Sequence, residues 1–316
     1  MPGNGTRMKI VITEFMDEPA VAALRAKFDV RHDAKLADRR GELLVSLSDV
    51  DAVIVRNRTQ VDEELLARAP QLRVVGRLGV GLDNIDVAAC KARGIQVIPA
   101  TGANALAVAE YVVGAVMLLL RGQYLASAVV AAGEWPRGAL GEGRETAGKT
   151  LGIVGFGGIG RLTAKLAQAL GMRVIAADAM IPADSPVWRD NGVAPRELDA
   201  LLAESDAVTL HIPLTTETRH LIDAARIGRM KPEAVLVNSA RGGIVDEAAL
   251  VAALRAGRLG GAALDVFESE PVRAGSPLAG VPNLVLTPHV AGVTRESNAR
   301  VSSMIAEKVA EALTRR

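Results

Sequence analysis

A glycine-rich hexapeptide in the middle of the chain constrains the fold more than any other feature. Gly155-Phe156-Gly157-Gly158-Ile159-Gly160 directly follows the apolar run Leu151–Val154 and directly precedes the helical pattern Arg161–Leu170. Glycine makes up 31 of the 316 residues, so the spacing of these glycines is by itself a weak signal. The strand before the hexapeptide and the helix after it make the signal specific, and together they predict the first turn of a dinucleotide-binding βαβ unit.

Each glycine of this fingerprint has a separate physical task. Gly155 makes the tight turn, Gly157 lets backbone approach a pyrophosphate, and Gly160 lets the helix pack on the strand. The helix N-terminus, which includes Gly158 and Ile159, supplies free N–H groups and the positive end of the helix dipole. We therefore predict that the fingerprint binds the pyrophosphate of the dinucleotide.

The next predicted strand ends at a carboxylate that indicates which dinucleotide binds. Met172–Ala177 leads into Asp178, which lies 18 residues after Gly160. This spacing is typical of an acidic side chain that accepts hydrogen bonds from both ribose hydroxyls of an adenosine. The following residues, Ala179 and Met180, offer no arginine for a 2′-phosphate. The sequence therefore predicts NAD as the cofactor, in preference to NADP.

Composition excludes several classes of protein. An apolar fraction of 49% excludes a disordered chain, and a net charge of +1 gives no global field that would recruit nucleic acid or an acidic membrane. Cys90 is the single cysteine, which rules out an intrachain disulfide and fits a reducing compartment. The apolar run Tyr111–Leu120 is too short to cross a bilayer, and residues 1–7 lack the apolar core of a signal peptide. We expect a soluble, cytoplasmic protein without a metal, nucleic-acid or membrane partner.

The rest of the chain alternates short apolar runs with helical patterns. This alternation predicts an α/β fold with two doubly wound parallel-sheet domains. We predict a discontinuous, flavodoxin-like substrate domain at 1–104 and 291–316, and a Rossmann NAD-binding domain at 105–290. A long helix is expected to run from Ala105 through Arg121 and past Ala132. The predicted strands are Lys9–Thr13, Phe28–Arg31, Ala52–Arg56, Arg73–Arg77, Ile95–Pro99, Leu151–Val154, Arg173–Ala177, Ala207–Leu210, Ala234–Asn238, Ala262–Val266 and Leu284–Thr287.

Three polar side chains follow the last three predicted strands of the second domain. Ligands bind beyond the carboxyl ends of the strands in an open parallel sheet, so Arg241, Glu270 and His289 are expected on one rim. The histidine can protonate a carbonyl oxygen as hydride arrives, and Glu270 can orient it and stabilise its cationic form. The planar fork of Arg241 suits a substrate carboxylate. Taken singly, these residues fit a turn histidine and a surface ion pair, but together they predict a catalytic site.

The chain also resembles a known family, the D-isomer-specific 2-hydroxyacid dehydrogenases, and especially their phosphoglycerate dehydrogenase branch. The resemblance is carried by four motifs in order, at 151–160, 238–247, 264–271 and Thr287-Pro288-His289. It implies that Arg241 binds the substrate carboxylate, that Glu270 partners His289 and that His289 is the acid/base. It also implies a homodimer. The further cofactor-binding residues predicted with it are His211, Pro213, Thr218, Ala240, Asp265 and Gly292, with Asp265 near the nicotinamide carboxamide.

The first domain contributes a second glycine loop. Arg77-Leu78-Gly79-Val80-Gly81 matches a family loop that faces the nicotinamide and binds the substrate carboxylate through backbone N–H groups. Gly79 and Gly81 permit such an anion-binding nest, although a plain tight turn has the same composition. Asn104 matches a position that lines the cleft. We predict that Gly79, Val80, Gly81 and Asn104 contact the substrate.

The first-domain arginines indicate the substrate class. Arg56, Arg58 and Arg77 lie at predicted strand ends and are expected to converge on a small anionic 2-hydroxy or 2-keto acid, where they would suit a second phosphate or sulfonate group. Phosphoglycerate is disfavoured by Val80, which stands where many phosphoglycerate enzymes have a hydroxyl residue, and by the lack of a C-terminal regulatory segment. The stretches 55–62 and 100–104 look similar to sulfolactate dehydrogenases. Phosphoglycerate, sulfolactate, hydroxypyruvate and glyoxylate stay open as substrates, and an NAD-sensing binding protein is the non-enzymatic alternative.

Overall fold

The structure is a computed structural model that describes residues 7–315, and these residues form two compact units. The first unit runs up to Asn104 and resumes at Val293, and the second unit is Ala105–Gly292. The strands are β1 (Lys9–Ile12), β2 (Asp29–His32), β3 (Ala52–Val55), β4 (Val74–Arg77), β5 (Gln96–Pro99), β6 (Thr150–Val154), β7 (Arg173–Ala177), β8 (Ala194–Pro195), β9 (Ala207–Leu210), β10 (Val235–Asn238), β11 (Gly261–Leu264) and β12 (Leu284–Leu286).

The helices lie between these strands and at the C-terminal end of the chain. Several begin at a side chain that accepts a hydrogen bond from the first helical turn, such as Asp62, Asp246 and Thr294, which explains where they start. The helices are α1 (Glu18–Arg25), α2 (Arg40–Val45), α3 (Glu63–Arg68), α4 (Val87–Ala92), α5 (Ala105–Arg121), α6 (Ser127–Ala131), α7 (Arg137–Leu140), α8 (Gly158–Ala169), α9 (Pro186–Asp190), α10 (Leu198–Glu204), α11 (Ala224–Ile227), α12 (Glu247–Arg255) and α13 (Arg295–Thr314), with short 3₁₀ turns at Leu36–Asp38 and Gln123–Ala126.

The first unit is a five-stranded parallel sheet in the order β2-β1-β3-β4-β5, which is the flavodoxin-like order. Alternate residues of its central strands pack on opposite faces. Ile12 and Ile54 join the core under α1 and α13, whereas Val53 and Val75 join the core under α2 and α3. Both faces are therefore covered by helices, as near-continuous apolar strands require.

The second unit is a seven-stranded parallel sheet in the order β12-β11-β10-β9-β6-β7-β8. The strand that leads into the glycine fingerprint, β6, lies between β7 and β9, where the direction of strand order reverses. This is the Rossmann arrangement, and its switch point is the place where dinucleotides bind. The predicted fold class of two parallel-sheet α/β domains is confirmed. The predicted strands are also confirmed to within two residues, while the short edge strand β8 is an addition.

One detail of the sequence prediction is wrong. The long helix ends at Arg121, because Gly122 takes a left-handed conformation with φ of 67°. In α8 the large apolar residues Ile159, Leu162 and Leu166 are only half-buried, and the fully buried positions are Gly160, Thr163, Ala164 and Ala167. Small residues face inward because α8 lies directly against α5 and β6, which leaves no space for leucines there.

The register of the second sheet aligns the ends of its strands. Val154 pairs with Leu210, Leu210 with Asn238, and Asn238 with Leu264. The residue that follows each strand therefore lies in one row along the carboxyl edge. This row is Gly155, His211, Ser239, Asp265 and Thr287.

Within the described part of the chain, the search for a helix both long and apolar enough to cross a membrane finds none.

The packing of α13 on β4 yields a stability prediction. A Cβ on Gly76 would lie 2.8 Å from Val309 Cγ2 and 2.9 Å from Ile305 Cγ2. We expect Gly76→Ala to push α13 away from the sheet and to lower the unfolding free energy by about 1–3 kcal/mol. Thermal unfolding followed by circular dichroism measures this as a lower Tm.

Gly114→Ala is the matched control, because Gly114 lies in α5 and a Cβ there would meet no neighbouring atom within 4 Å. In an exposed helix interior, alanine should stabilise the protein by about 0.5–1 kcal/mol relative to glycine. A Gly76→Ala protein as stable as the wild type would contradict the close packing of α13.

Candidate active site

The glycine fingerprint forms the turn between β6 and α8, and two of its glycines are required by close backbone contacts. Gly155 has φ of 94°, and a Cβ there would lie 2.5 Å from the carbonyl oxygen of His211. A Cβ on Gly160 would lie 2.3 Å from the carbonyl oxygen of Gly155. Around Gly157 and Gly158 the Cβ positions are open, with nothing within 4 Å. This opening at the N-terminus of α8 fits the approach of a pyrophosphate.

Asp178 holds the fingerprint turn against the end of β7. Its Oδ2 accepts a hydrogen bond from the backbone N–H of Phe156 at 2.7 Å, and its Oδ1 accepts one from Met180 at 2.8 Å. A carboxylate offers about four lone pairs, so each oxygen keeps capacity for another donor. The half-buried carboxylate therefore suits the ribose hydroxyls predicted to bind there.

Two further groups at the strand ends bear on the fit of a nicotinamide cofactor. The Ser239 hydroxyl is buried and has no hydrogen-bond partner among residues 7–315, so it can serve a polar group of a ligand. Burial lowers the pKa of His211 to about 4, which keeps its imidazole neutral at physiological pH. Its Nε2 lies 3.2 Å from Thr209 Oγ1. The chain thus offers a polar but uncharged lining on this part of the edge.

The predicted cofactor contacts after β9 lie in a tight turn. Thr218 Oγ1 donates a hydrogen bond to the Pro213 carbonyl oxygen and accepts one from the Thr215 N–H, each at 2.7 Å. The Thr218 hydroxyl therefore closes this turn, and direct contacts of Pro213 and Thr218 with the cofactor stay predictions. Gly292 is the last residue of the second unit.

Asp265 braces the segment that carries His289. Its carboxylate is 1% exposed and accepts hydrogen bonds from Thr287 Oγ1 at 2.6 Å and from the N–H groups of Val290 and Ala291 at 2.8 Å each. Tyr111 extends the network through a 2.7 Å contact between its hydroxyl and Thr287 Oγ1. The sequence prediction placed Asp265 near the carboxamide and missed this bracing role.

His289 and Glu270 form a close pair. His289 has a left-handed backbone with φ of 56°, and its Nδ1 lies 2.8 Å from Glu270 Oε2. Because a carboxylate only accepts, Nδ1 carries the proton and Nε2 is the nitrogen left to exchange a proton with a substrate. Glu270 is itself held by the N–H of Phe267, which donates to Oε1 at 3.1 Å. The pair is about half-exposed, as a substrate-accessible acid/base requires.

Arg241 follows β10 in a turn that Asn238 organises. The buried Asn238 side chain donates to the Arg241 carbonyl at 2.9 Å and accepts from the Ala240 N–H at 3.1 Å. The Arg241 guanidinium donates to the Ala240 carbonyl at 2.6 Å. A Cβ on Gly242 would lie 1.7 Å from the Phe267 carbonyl oxygen, so this turn rests directly on the segment that holds Glu270. The sequence analysis places Asn238 at the end of a strand and gives it no further role. Its part in organising the turn becomes visible only in the turn geometry.

The remaining predicted substrate residues belong to the first unit. Arg77 folds over Gly79, where a Cβ would lie 2.0 Å from Arg77 Nη1, so the glycine lets the guanidinium cover the loop. Val80 is 38% exposed, next to the half-buried Gly81. The buried Oδ1 of Asn104 has no hydrogen-bond partner among the described residues. A guanidinium therefore lies directly over the glycine loop, and contacts of these residues with a substrate stay predictions.

Arg56 and Arg58 follow β3 but have different surroundings. The Arg56 guanidinium donates to Asn298 Oδ1 at 3.0 Å and lies 5.9 Å from the centre of the Phe15 ring. Burial lowers the pKa of Arg56, partly countered by the charge of Glu14. Arg58 is instead held by Asp38 and lies near Glu14. The predicted convergence of Arg56, Arg58 and Arg77 on a substrate stays a prediction.

In residues 7–315, no group of three or more His, Cys, Asp and Glu side chains is arranged to hold a metal ion.

Comparison with known proteins gives a family match. Residues 113–291 match the model of the D-isomer specific 2-hydroxyacid dehydrogenase NAD-binding domain. The chain is 57% identical to an (S)-sulfolactate dehydrogenase of Chromohalobacter salexigens, over 96% of this chain and 98% of that protein. It is 39% identical to a D-3-phosphoglycerate dehydrogenase of Archaeoglobus fulgidus, over 96% of this chain but only 56% of that longer protein.

A solved structure with a bound cofactor is similar as well. The NAD-dependent formate dehydrogenase of Staphylococcus aureus in complex with NAD superposes with a TM-score of 0.83 at 30% identity, over 97% of this chain and 96% of that one. Together with the fingerprint, the Rossmann strand order and the row of polar groups at the strand ends, these matches assign both family and cofactor. The chain belongs to the D-isomer specific 2-hydroxyacid dehydrogenase family and is an NAD-dependent oxidoreductase of 2-hydroxy acids.

Proposed function

We propose that the protein interconverts 3-sulfolactate and its 2-keto acid, with NAD as the cofactor. The observation that carries the chemistry is the 2.8 Å pair of His289 and Glu270 on the same sheet edge as Arg241. The substrate is supported by the 57% identity to a sulfolactate dehydrogenase over nearly the full length of both chains. Phosphoglycerate, hydroxypyruvate and glyoxylate are the competing substrates.

The residues of the second unit provide the chemistry at C2 of the substrate. In the oxidative direction, His289 Nε2 accepts the proton of the C2 hydroxyl, and the imidazolium is stabilised by Glu270 through Nδ1–H. NAD would be held by the fingerprint turn and Asp178, and it would supply the acceptor for the hydride from C2. Arg241 binds the carboxylate of the substrate and favours the polarised carbonyl of the keto acid. The reverse reaction returns the proton from Nε2 to the carbonyl oxygen.

The first unit is proposed to act as the substrate domain. Arg56 recognises the second anionic group of the substrate, and the loop with Gly79, Val80 and Gly81, which Arg77 covers, contributes to carboxylate binding. Burial of the Arg56 guanidinium strengthens its interaction with an anion, because water competes less for the charge.

We also infer a homodimer in the cytoplasm. The second unit exposes apolar side chains close together in sequence, with Trp135 78% exposed and Val130 41% exposed. Exposed apolar groups of this kind are typical of surfaces that associate. The buried thiol of the single cysteine, Cys90, fits a reducing compartment.

The acid/base role of His289 is tested by replacement with asparagine, which tolerates the left-handed backbone at this position. We expect His289→Asn to lower kcat by about 10²–10⁴-fold, because proton transfer loses its catalyst. NADH binding, followed by fluorescence titration, should be unchanged.

His220→Asn is the matched control, because His220 also has a positive φ, of 49°, and also lies beside a glutamate, Glu268. This variant should keep near-normal turnover. The assignment fails if His289→Asn also does so.

The ribose contact of Asp178 is tested by Asp178→Asn. The amide loses the negative charge and part of the acceptor capacity that serve the ribose hydroxyls, so we expect the NADH dissociation constant to rise about tenfold. The NADPH dissociation constant should rise less, so the ratio of the two affinities, which favours NADH in the wild type, should become smaller. Asp190→Asn, at an exposed aspartate of α9, is the control. An unchanged ratio of the two cofactor affinities in Asp178→Asn would remove Asp178 from the ribose site.

The second anionic group is tested with a substrate panel of 3-sulfolactate, 3-phosphoglycerate, D-glycerate and the corresponding keto acids. We expect 3-sulfolactate to have the highest kcat/KM in the oxidative direction. Arg56→Gln should lower that value by about 10–100-fold, because a charge-assisted hydrogen bond is lost, and should leave D-glycerate oxidation unchanged.

Arg73→Gln is the matched control, since Arg73 directly precedes β4 at the opposite, amino end of the sheet. Equal kcat/KM values for 3-sulfolactate and D-glycerate in the wild type would contradict the proposed substrate class. No turnover of any 2-hydroxy or 2-keto acid, together with tight NADH binding, would favour the NAD-sensing alternative.

A further inference from the structure

The segment that carries Arg56 and Arg58 is built around a buried carboxylate. Glu14 is 2% exposed, and its two oxygens accept hydrogen bonds from four consecutive N–H groups. These are the N–H groups of Arg56 at 2.9 Å, Asn57 at 3.3 Å, Arg58 at 3.1 Å and Thr59 at 3.1 Å. A run of converging N–H groups is an anion-binding nest, and here Glu14 fills it.

Glu14 is charged in the folded protein. Burial alone raises its pKa, but the hydrogen bonds from the backbone of Thr59, Arg56 and Arg58 outweigh burial and hold the pKa below its ordinary value. The N–H groups of this loop are therefore engaged by an internal anion. Recognition of a substrate anion at this loop falls to its side chains.

A second carboxylate offsets Arg58. Asp38 accepts a hydrogen bond from Arg58 Nη1, and Glu14 Oε2 lies 3.6 Å from Arg58 Nε. The hydrogen bond to Asp38 is the largest cause of a raised Arg58 pKa. Arg56 differs, because its guanidinium has no carboxylate within 4.0 Å among the described residues and bonds to the neutral Asn298 side chain.

The formal charges of the four ionised side chains in and around this loop sum to zero. Arg56 and Arg58 contribute two positive charges, while Glu14 and Asp38 contribute two negative ones. A substrate anion at this loop therefore meets one cation without a carboxylate partner, Arg56, instead of a strongly positive field. Such a site can compensate one negative charge better than two, because each uncompensated charge that leaves water is costly.

We infer that Glu14 and Asp38 make the site selective for a singly charged sulfonate over a phosphate dianion. A sulfonate is a strong acid and keeps one negative charge, whereas a phosphate monoester carries about −1.5 to −2 at pH 7. The two carboxylates repel the second charge of the phosphate and leave the sulfonate bound by Arg56. This inference rests on the proposed function, since it concerns the second anionic group of that substrate.

Asp38→Asn is the decisive variant, because Asp38 is 54% exposed and its replacement should leave folding intact. The readouts are kcat/KM for 3-sulfolactate and, whether or not it is turned over, the competitive inhibition constant of 3-phosphoglycerate. We expect 3-phosphoglycerate to bind about 5-fold tighter in Asp38→Asn, with a smaller change for 3-sulfolactate, because the removed repulsion scales with ligand charge.

Asp49→Asn is the matched control. Asp49 is 53% exposed and pairs with Lys9 at the amino end of β1, on the opposite edge of the sheet from the Arg56 loop. It changes the net charge by the same amount and should leave the discrimination between the two ligands unchanged. Glu14→Gln is a second variant that should shift discrimination in the same direction as Asp38→Asn.

The outcomes separate the two proposals. If the wild type prefers 3-sulfolactate to D-glycerate but Asp38→Asn discriminates between sulfonate and phosphate as the wild type does, the charge-selection inference is overturned while the substrate proposal stands. An equal shift in Asp49→Asn would also overturn it, by showing a general charge effect. If the wild type shows no preference for a second anionic group, the proposed function itself fails.

Discussion

The arrangement proposed for catalysis depends on the buried carboxylate of Asp265. It follows β11 at the carboxyl edge of the sheet and binds the two N–H groups that come directly after His289. These hydrogen bonds hold His289 in a left-handed conformation that a histidine adopts only when its surroundings enforce it. In this position its Nδ1 reaches Glu270, and Nε2 is left to exchange a proton with the substrate. One side chain that is almost inaccessible to water thus sets the geometry of the proposed acid/base pair.

The first unit uses the same physical device for a different task. Glu14 also lies just beyond the end of a parallel strand. Its carboxylate also accepts hydrogen bonds from backbone N–H groups, here those of the loop with Arg56 and Arg58. In both units a buried carboxylate is stable because hydrogen bonds compensate its desolvation. The consequence differs, since Asp265 positions the proposed acid/base residue His289, whereas Glu14 also offsets the positive charge of the loop proposed to bind the second anionic group.

Periodicity and the placement of glycines made the fold predictable, because apolar strands alternate with helices and the fingerprint marks the switch point of the second sheet. The rule that ligands bind at strand ends was enough to select Arg241, Glu270 and His289. The side chains that hold the functional loops in place were not predictable. Asn238, Asp265 and Glu14 hydrogen-bond to backbone groups, and the positions of those groups depend on the folded turns. The inward face of α8 was also missed, since its small residues reflect the distance between helix and sheet, which the hydrophobic pattern alone does not encode.

The central claim is that the protein transfers hydride to and from C2 of a sulfonate-bearing 2-hydroxy acid. Isotope tracing tests it most directly, with sulfopyruvate as the substrate and NADH that carries deuterium at both C4 positions of the dihydronicotinamide, since only one of the two is transferred. Mass spectrometry and NMR of the product should find 3-sulfolactate with a single deuterium at C2, and none at C2 when unlabelled NADH is used in D₂O. Absence of 3-sulfolactate, or a C2 hydrogen that comes from solvent, would contradict the account.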